Sequence, residues 1–356
     1  MSLNLVNPFM KFASGGGGAN AAAYKEITRK VLASDSQTWN TDSFDSSEYS
    51  DIMVLINYTT DQTNADPSMM WNTTTSTDFT NRISFNYSSD YTQINSRFYF
   101  MSGSVASASN FSVQFWSNNQ DYEKIGTALN NGKGDGNAGN YPQGNQATIA
   151  WCNTSETMDR LYFDNTQTSG SRQYVAGAEV IILGAGGTSS GDSFWEELNT
   201  TTVTGSSTDT IDTGAFTAKK YLWLQIFTHA SSTGGISGAD VRINSDGNND
   251  YARQYSTDFG AEATGTNEDR IGGGGTASGS VNDTLCANWF FANPDNADKL
   301  GIGLYEYGNA SAGTAPNSRV VNGKYCNNTQ ATSFQIINNG GSDFDVGSIV
   351  RVYGAD

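Results

Sequence analysis

The sequence holds a single histidine, His229, and only three cysteines in 356 residues. One histidine excludes nearly all imidazole-rich metal sites and leaves one base for a nucleophilic triad. Charged residues are scarce, at 15%, and prolines number five. No apolar run approaches the ~20 residues that a membrane-crossing helix requires. The opening Met1-Ser-Leu-Asn-Leu-Val-Asn-Pro-Phe-Met-Lys11 lacks a basic start and a continuous apolar core, so no secretory signal is expected and synthesis in a cytoplasm is. The low charge is not that of a disordered chain, because aromatic residues reach 12%. The formal net charge of -17 argues against nucleic acid and anionic membranes as partners, and it suits cations.

What the chain does have is a repeat. Residues 174–185, Tyr-Val-Ala-Gly-Ala-Glu-Val-Ile-Ile-Leu-Gly-Ala, return at 344–355 as Phe-Asp-Val-Gly-Ser-Ile-Val-Arg-Val-Tyr-Gly-Ala, an offset of 170. Tyr24–Ile27 matches Trp195–Leu198 at 171, and Ile52, Val54 and Ile56 match Leu222, Leu224 and Ile226 at 170. Trp151-Cys152-Asn153 matches Tyr325-Cys326-Asn327 at 174. Arg82-Ile83 with Asp90-Tyr91 matches Arg242-Ile243 with Asp250-Tyr251 at 160. A period of this length is a whole domain rather than a solenoid unit. Cys152 and Cys326 then belong to different cores, too far apart to bridge, and the thiols are expected to be free and buried.

Four segments follow. Residues 1–22 form an apolar peptide and a glycine hinge, 23–187 a first domain, 188–193 a linker and 194–356 a second domain. The peptide carries Leu3, Leu5, Val6, Pro8, Phe9, Met10 and Phe12 ahead of Gly15–Gly18. It reads as a docking segment for a partner, with folding back onto its own domain as the alternative. Short apolar or alternating runs mark strands at Ile52–Ile56, Arg97–Met101, Phe111–Trp116, Leu161–Phe163 and Glu179–Leu183. In the second copy they fall at Tyr221–Phe227, Ala287–Phe291, Phe334–Ile337 and Ile349–Tyr353. Phe111, Val113 and Phe115 alternate with Ser112 and Gln114, the period of a half-buried strand. Polar turn residues separate the runs and helical periodicity is absent. The expectation is an all-β protein of two tandem antiparallel β-sandwich, jelly-roll-like domains. Asn130–Asn145 and Ala261–Asn282 read as long loops. Gly177 and Gly347 stand at the same distance before the last strand of each copy, which predicts a turn with positive φ.

Chemistry is sparse. Gly187-Thr188-Ser189-Ser190-Gly191 matches a nucleophile elbow, but it lies in the linker, without the strand–turn–helix that an elbow needs. Glu26 and Glu197 are equivalents in two domains and are not placed across one cleft. No catalytic residue is assigned, and the chain is read as a non-enzyme. Asn244, Asp246, Asn248 and Asp250 form an oxygen-rich loop that is a candidate calcium site, although the bidentate closing Glu of an EF-hand is missing. The ordinary alternative is an Asx turn. Trp71, Trp289 and Tyr305, among other aromatics, are candidate glycan platforms, with core packing as the alternative.

Asn7-Pro8-Phe9, Tyr24–Ile27, Val241–Asn244 with Tyr251, and the closing Val352-Tyr353-Gly354 together resemble the β-sandwich structural proteins of bacteriophages, marine ones especially. The motifs touch both copies, although the first copy ends Ile182-Leu183-Gly184, without the tyrosine. The resemblance implies a virion protein made in the host cytoplasm. It would be displayed on the particle as a capsid decoration or head fibre and attached through its N-terminal peptide. Other capsid or tail proteins would be its partners, and a homo-oligomer is implied. One alternative is a tail adhesin that binds a host surface glycan. Another is a double jelly-roll major capsid protein, for which a trimer is expected.

Overall fold

The structure is a computed structural model. It describes residues 24–356 apart from 63–66, 73–77, 86–88, 100–106, 119–121, 167–171, 187–191, 233–235, 237, 259, 261, 273–283, 309–316 and 341. The first half contributes β1 (Lys25–Val31), β2 (Thr38–Asn40), β3 (Asp51–Thr59), β4 (Ser68–Trp71), β5 (Phe79–Phe85) and β6 (Ser89–Asn95). It continues with β7 (Phe98–Tyr99), β8 (Ser109–Ser117), β9 (Lys124–Gly134), β10 (Gln143–Trp151), β11 (Leu161–Asp164) and β12 (Glu179–Ala185). The second half contributes β13 (Glu196–Thr202), β14 (Thr210–Asp212), β15 (Tyr221–His229), β16 (Asp240–Ile243), β17 (Tyr251–Thr257) and β18 (Glu262–Glu268). Then come β19 (Thr284–Ala292), β20 (Lys299–Gly308), β21 (Asn317–Tyr325), β22 (Phe334–Ile337) and β23 (Ile349–Ala355). The protein is all-β, as its alternating runs and polar turns require.

Each half is a large antiparallel sheet packed on a small one. The large sheets run β1-β12-β3-β8-β9-β10-β5-β6 and β13-β23-β15-β19-β20-β21-β17-β18. These orders are the same, strand for strand. The small sheets are β2-β11-β4-β7 and β14-β22-β16, so only β7 lacks a counterpart among the described residues. The likeness extends to details. Ile27 and Leu198 sit at the same register shift in the first strand of each half. Gly177 and Gly347 have φ of 92° and 95°, the left-handed conformation that their spacing predicted. Lys124 and Lys299 are both buried and donate to the carbonyls of Asn153 and Asn327 at 2.7 and 2.8 Å.

One sequence match does not hold. Arg82-Ile83 lies in β5 of a large sheet, whereas Arg242-Ile243 lies in β16 of a small one. The true equivalents follow from register, since Phe79 pairs with Trp151 and Tyr251 with Tyr325. Cys152 and Cys326 donate their N–H to the carbonyls of Asp78 and Asp250, both at 2.8 Å. The apparent offset of 160 joins strands that are not equivalent.

Three cores result. The first sandwich is filled by Ile52, Val54, Ile56, Trp71, Trp151 and neighbours. The second is filled by Leu222, Leu224, Ile226, Trp289, Phe334 and neighbours. The third lies between the two large sheets and joins Met53, Leu55, Val113, Ile181 and Leu183 to Trp223, Phe290, Ile302 and Tyr353. The sandwiches are therefore stacked back to back. This explains the uninterrupted apolar runs: β12 is buried at all seven positions because both of its faces are covered. It also revises the reading of β8. Ser112 and Gln114 are buried too, and Phe111 and Val113 face the other half rather than their own sandwich.

The two expected long loops contain strand. Asn130–Gly134 and Gln143–Asn145 belong to β9 and β10, and Glu262–Glu268 forms β18.

Candidate functional site

Strand ends and the seam between the large sheets collect the polar side chains. At the end of β4, Asn72 holds φ at 55°, and at the end of β16 Asn244 holds 54°. Asparagine tolerates this conformation, and its amide then reaches the chain running into the small sheet. Asn72 Nδ2 donates to the Thr157 carbonyl at 2.9 Å, and its Oδ1 accepts the Asp159 N–H at 3.1 Å. Asn244 does the same with the Gln330 carbonyl and the Thr332 N–H, at 2.9 and 2.8 Å. These paired clamps escaped the sequence reading. Their signal was present as Asn72 and Asn244 at an offset of 172, shared with Asp78 and Asp250.

The clamp engages part of the candidate calcium loop. Asn244 is committed to backbone. Asp246 Oδ1 accepts the Asn248 N–H at 2.9 Å in an Asx turn, and Oδ2 accepts the Tyr325 hydroxyl at 2.8 Å. Burial, followed by the charge of Asp246, raises the Asp250 carboxyl above its usual range. Among the described residues no three His, Cys, Asp or Glu side chains converge as a metal group. The neighbouring Tyr251 hydroxyl accepts the Ile243 N–H at 3.0 Å and donates to the Ile243 carbonyl. Val241–Asn244 with Tyr251 is thus a folded corner, which gives that motif a scaffold role.

The candidate glycan aromatics are corrected. Trp71 and Trp289 are 0% exposed and Tyr305 is 1%. Trp71 meets Trp116 edge-on at 5.6 Å, and Trp289 Nε1 donates to the Tyr305 hydroxyl at 2.8 Å. Large rings fill the sandwiches because burying them removes the most apolar area. None of the three can stack on a sugar. Leu3, Leu5, Val6, Pro8, Phe9, Met10 and Phe12 lie outside the described residues, as does Ser189. His229 Nε2 contacts the Val346 carbonyl at 2.9 Å and serves a turn. All three thiols are free, as expected, but Cys152 is exposed and the other two are half-buried.

An open polar pocket of about 460 Å³ adjoins the first clamp, lined by Asn72, Ser155, Glu156, Thr157, Asp159 and Arg160. Glu156 Oε2 accepts from Asn72 Nδ2 at 3.0 Å. Arg160 in the lining also donates to the Ser43 and Tyr162 hydroxyls. The pocket offers hydrogen bonds and charge, and its lining contains no histidine, cysteine or lysine.

The densest buried charge lies where the halves meet. Lys324 of β21 is fully buried, and its ammonium donates to Asp135 Oδ1 at 2.7 Å and to the Asn137 and Lys133 carbonyls at 2.8 and 3.2 Å. All three partners belong to the β9–β10 hairpin of the other half. Burial pushes the Asp135 carboxyl up, but hydrogen bonds from Lys324 and Asn140 and the lysine's charge outweigh it, so it stays below its usual range. Nearby, Asp298 accepts the Gly136 N–H at 2.7 Å. At another part of the seam Glu179, 2% exposed, receives Lys220 at 2.6 Å, Arg29 at 3.4 Å and the Tyr221 hydroxyl. All but the Arg29 pair, which lies within the first half, fasten one half to the other.

No protein-family model and no curated protein matches the chain. Among solved structures it has a likeness to the mouse laminin alpha1 chain, domains LG4-5, at 10% identity over 95% of this chain and 91% of that one. The TM-score of that comparison is 0.16. A chain from a structure described as "Unveiling the Mechanism Behind the in-meso Crystallization of Membrane Proteins" gives 10% identity, 78% and 82% coverage and a TM-score of 0.12. Scores this low do not establish a common fold, and the architecture rests on the sheets themselves.

Proposed function

We propose that this chain is a non-enzymatic structural protein of a bacteriophage particle, displayed on its surface as a capsid decoration or head fibre. The observation that carries the reading is the use to which the two halves put their common residues. Gly177 and Gly347 make turns, Asn72 and Asn244 clamp strand ends, and Lys124 and Lys299 brace the neighbouring loops. All of these build walls. The motifs that carry the resemblance to phage β-sandwich proteins have the same character, with Val352–Gly354 closing β23 and Tyr251 holding a corner. A surface of net charge -17 keeps a protein displayed at high copy number soluble.

In this reading residues 1–14 attach the protein to the particle and the loops face outward. Deleting residues 2–14 leaves folded, soluble protein that no longer joins particles, measured by mass spectrometry of purified virions with copy number. Full incorporation of the shortened protein rejects the anchor.

A further inference from the structure

The seam between the large sheets is tight in one direction and open in the other. Phe111 stacks on Tyr221 at 6.2 Å, Glu179 is sealed by Lys220, and Lys324 is caged by the β9–β10 hairpin. From Phe111, β8 runs on to Phe115, whose ring meets Phe290 at 5.9 Å. Tyr221 pairs with Ala292, so β8 and β19 run in opposite senses across the seam. Beyond Phe115, β8 therefore leads to Ser117 on one wall while β19 leads back to Cys286 on the other.

Strand alternation fixes which side chains face this gap. Ile125 shares its face with Leu129, a seam residue. Phe227 shares its face with Trp223, and Cys286 with Phe290. In register, Phe227 lies directly opposite both Cys286 and Ile349. Yet Ile125 is 55% exposed and Phe227 46%, and Tyr122 just before β9 is 66% exposed. Exposed apolar residues scattered singly mean little. Here Ile125 and Phe227 lie on strand faces that continue the core between the large sheets.

The described chain begins at this place. Tyr24 is buried in the seam, and its carbonyl accepts the Phe194 N–H at 2.7 Å. Lys25 pairs with Gly184, and the row continues through Ile52 and Trp116 to Gly126, the neighbour of Ile125. Four interstrand steps separate Tyr24 from Ile125, about 19 Å. Residues 15–23 can span up to about 30 Å. The apolar side chains of Leu3, Leu5, Val6, Phe9, Met10 and Phe12 thus come within reach of the gap.

We propose that the apolar peptide of residues 1–14 docks in the open end of the seam of its own chain, over Ile125, Phe227 and Cys286. The peptide is then held on the body of the free protein, which goes beyond the anchor reading and does not depend on it.

Cys286 reports on the gap. Burial pushes its thiol up to about 11, with the Glu306 charge adding to the shift, so maleimide labelling at mildly alkaline pH is slow enough to follow. Labelling is measured for each cysteine by peptide mass spectrometry, with exposed Cys152 as the internal standard. Deleting residues 2–14, or Phe9→Asp in the full chain, is expected to speed Cys286 labelling by about tenfold or more and to leave Cys152 unchanged. A synthetic peptide of residues 1–14 added to the shortened protein restores the slow rate. Equal Cys286 rates in the full and shortened proteins overturn the proposal. So does protection that vanishes on dilution together with a dimer in sedimentation, because the occupant is then a second copy. A shortened protein that fails to join particles but labels like the full chain overturns the docking and leaves the anchor standing. Normal incorporation with deprotected Cys286 does the reverse.

Discussion

The two halves have the same strand order and fill it with different interiors. Register makes the equivalences explicit, since β3 pairs with β8 as β15 pairs with β19. Asn110, Ser112 and Gln114 in the first half stand where Leu285, Ala287 and Trp289 stand in the second, and Asn130 stands where Tyr305 stands. The second sandwich is a ring-filled core in which Trp289 bonds to Tyr305. The first keeps amides inside, with Gln114 bonded to Met69 and Trp116, and takes part of its apolar filling from Phe98 of the extra strand β7. The backbone frame therefore does not dictate one packing. What both halves preserve are the positions that shape the backbone.

The largest expected effect tests the contact that only one half makes. Lys324 has Ala150 as its first-half counterpart, because Tyr325 and Trp151 are equivalent. Lys324→Ala leaves Asp135 and two carbonyls without their cation and should cost about 3–5 kcal/mol in urea unfolding. The folded Asp135 carboxyl titrates below its unfolded value of about 3.9. Its contribution is thus complete above that pH and is lost as pH falls through the folded value. The gap between wild type and variant should narrow in acid, and a gap that widens there contradicts the assignment.

The shared turn gives the next comparison. Gly177→Ala and Gly347→Ala each force a Cβ into a left-handed conformation and should each destabilise by about 1–3 kcal/mol. Near-equal losses are expected. A difference of severalfold, read from thermal melts of the two variants, would break the equivalence of the turns.

The smallest effect has the opposite sign. Asn130 is 1% exposed, and among the described residues neither polar atom of its amide has a hydrogen-bond partner. Asn130→Leu removes an unsatisfied buried group at nearly constant volume and should stabilise by about 1 kcal/mol. A loss of stability would mean that the amide has a use in the first half that Tyr305 does not need in the second.

Much of the frame was legible in the sequence. Ile52–Ile56, Phe111–Trp116, Glu179–Leu183 and their second-half counterparts announced themselves by β-branched and aromatic runs. The glycines before the last strands announced a turn. The site was less legible. Trp71, Trp289 and Tyr305 read equally well as platforms or core, because a ring's identity does not say which face of a sheet covers it. The Asn244–Asp250 loop reads alike as an ion site or an Asx turn, because both use the same oxygen-bearing residues. The asparagine clamps were hidden by the competing match of Arg82-Ile83 and Asp90-Tyr91 with Arg242-Ile243 and Asp250-Tyr251.

The sequence by itself determined the most apolar strands, their tandem repetition and the positive-φ turns, since local sterics and side-chain alternation act within a few residues. Only the tertiary structure decided that the two large sheets lie back to back and that Phe111 and Val113 face the other half. It alone brought Lys324 to Asp135, 189 positions away in the chain. Such contacts arise from the closing of one surface on another, and no pattern within either strand encodes which surface that is.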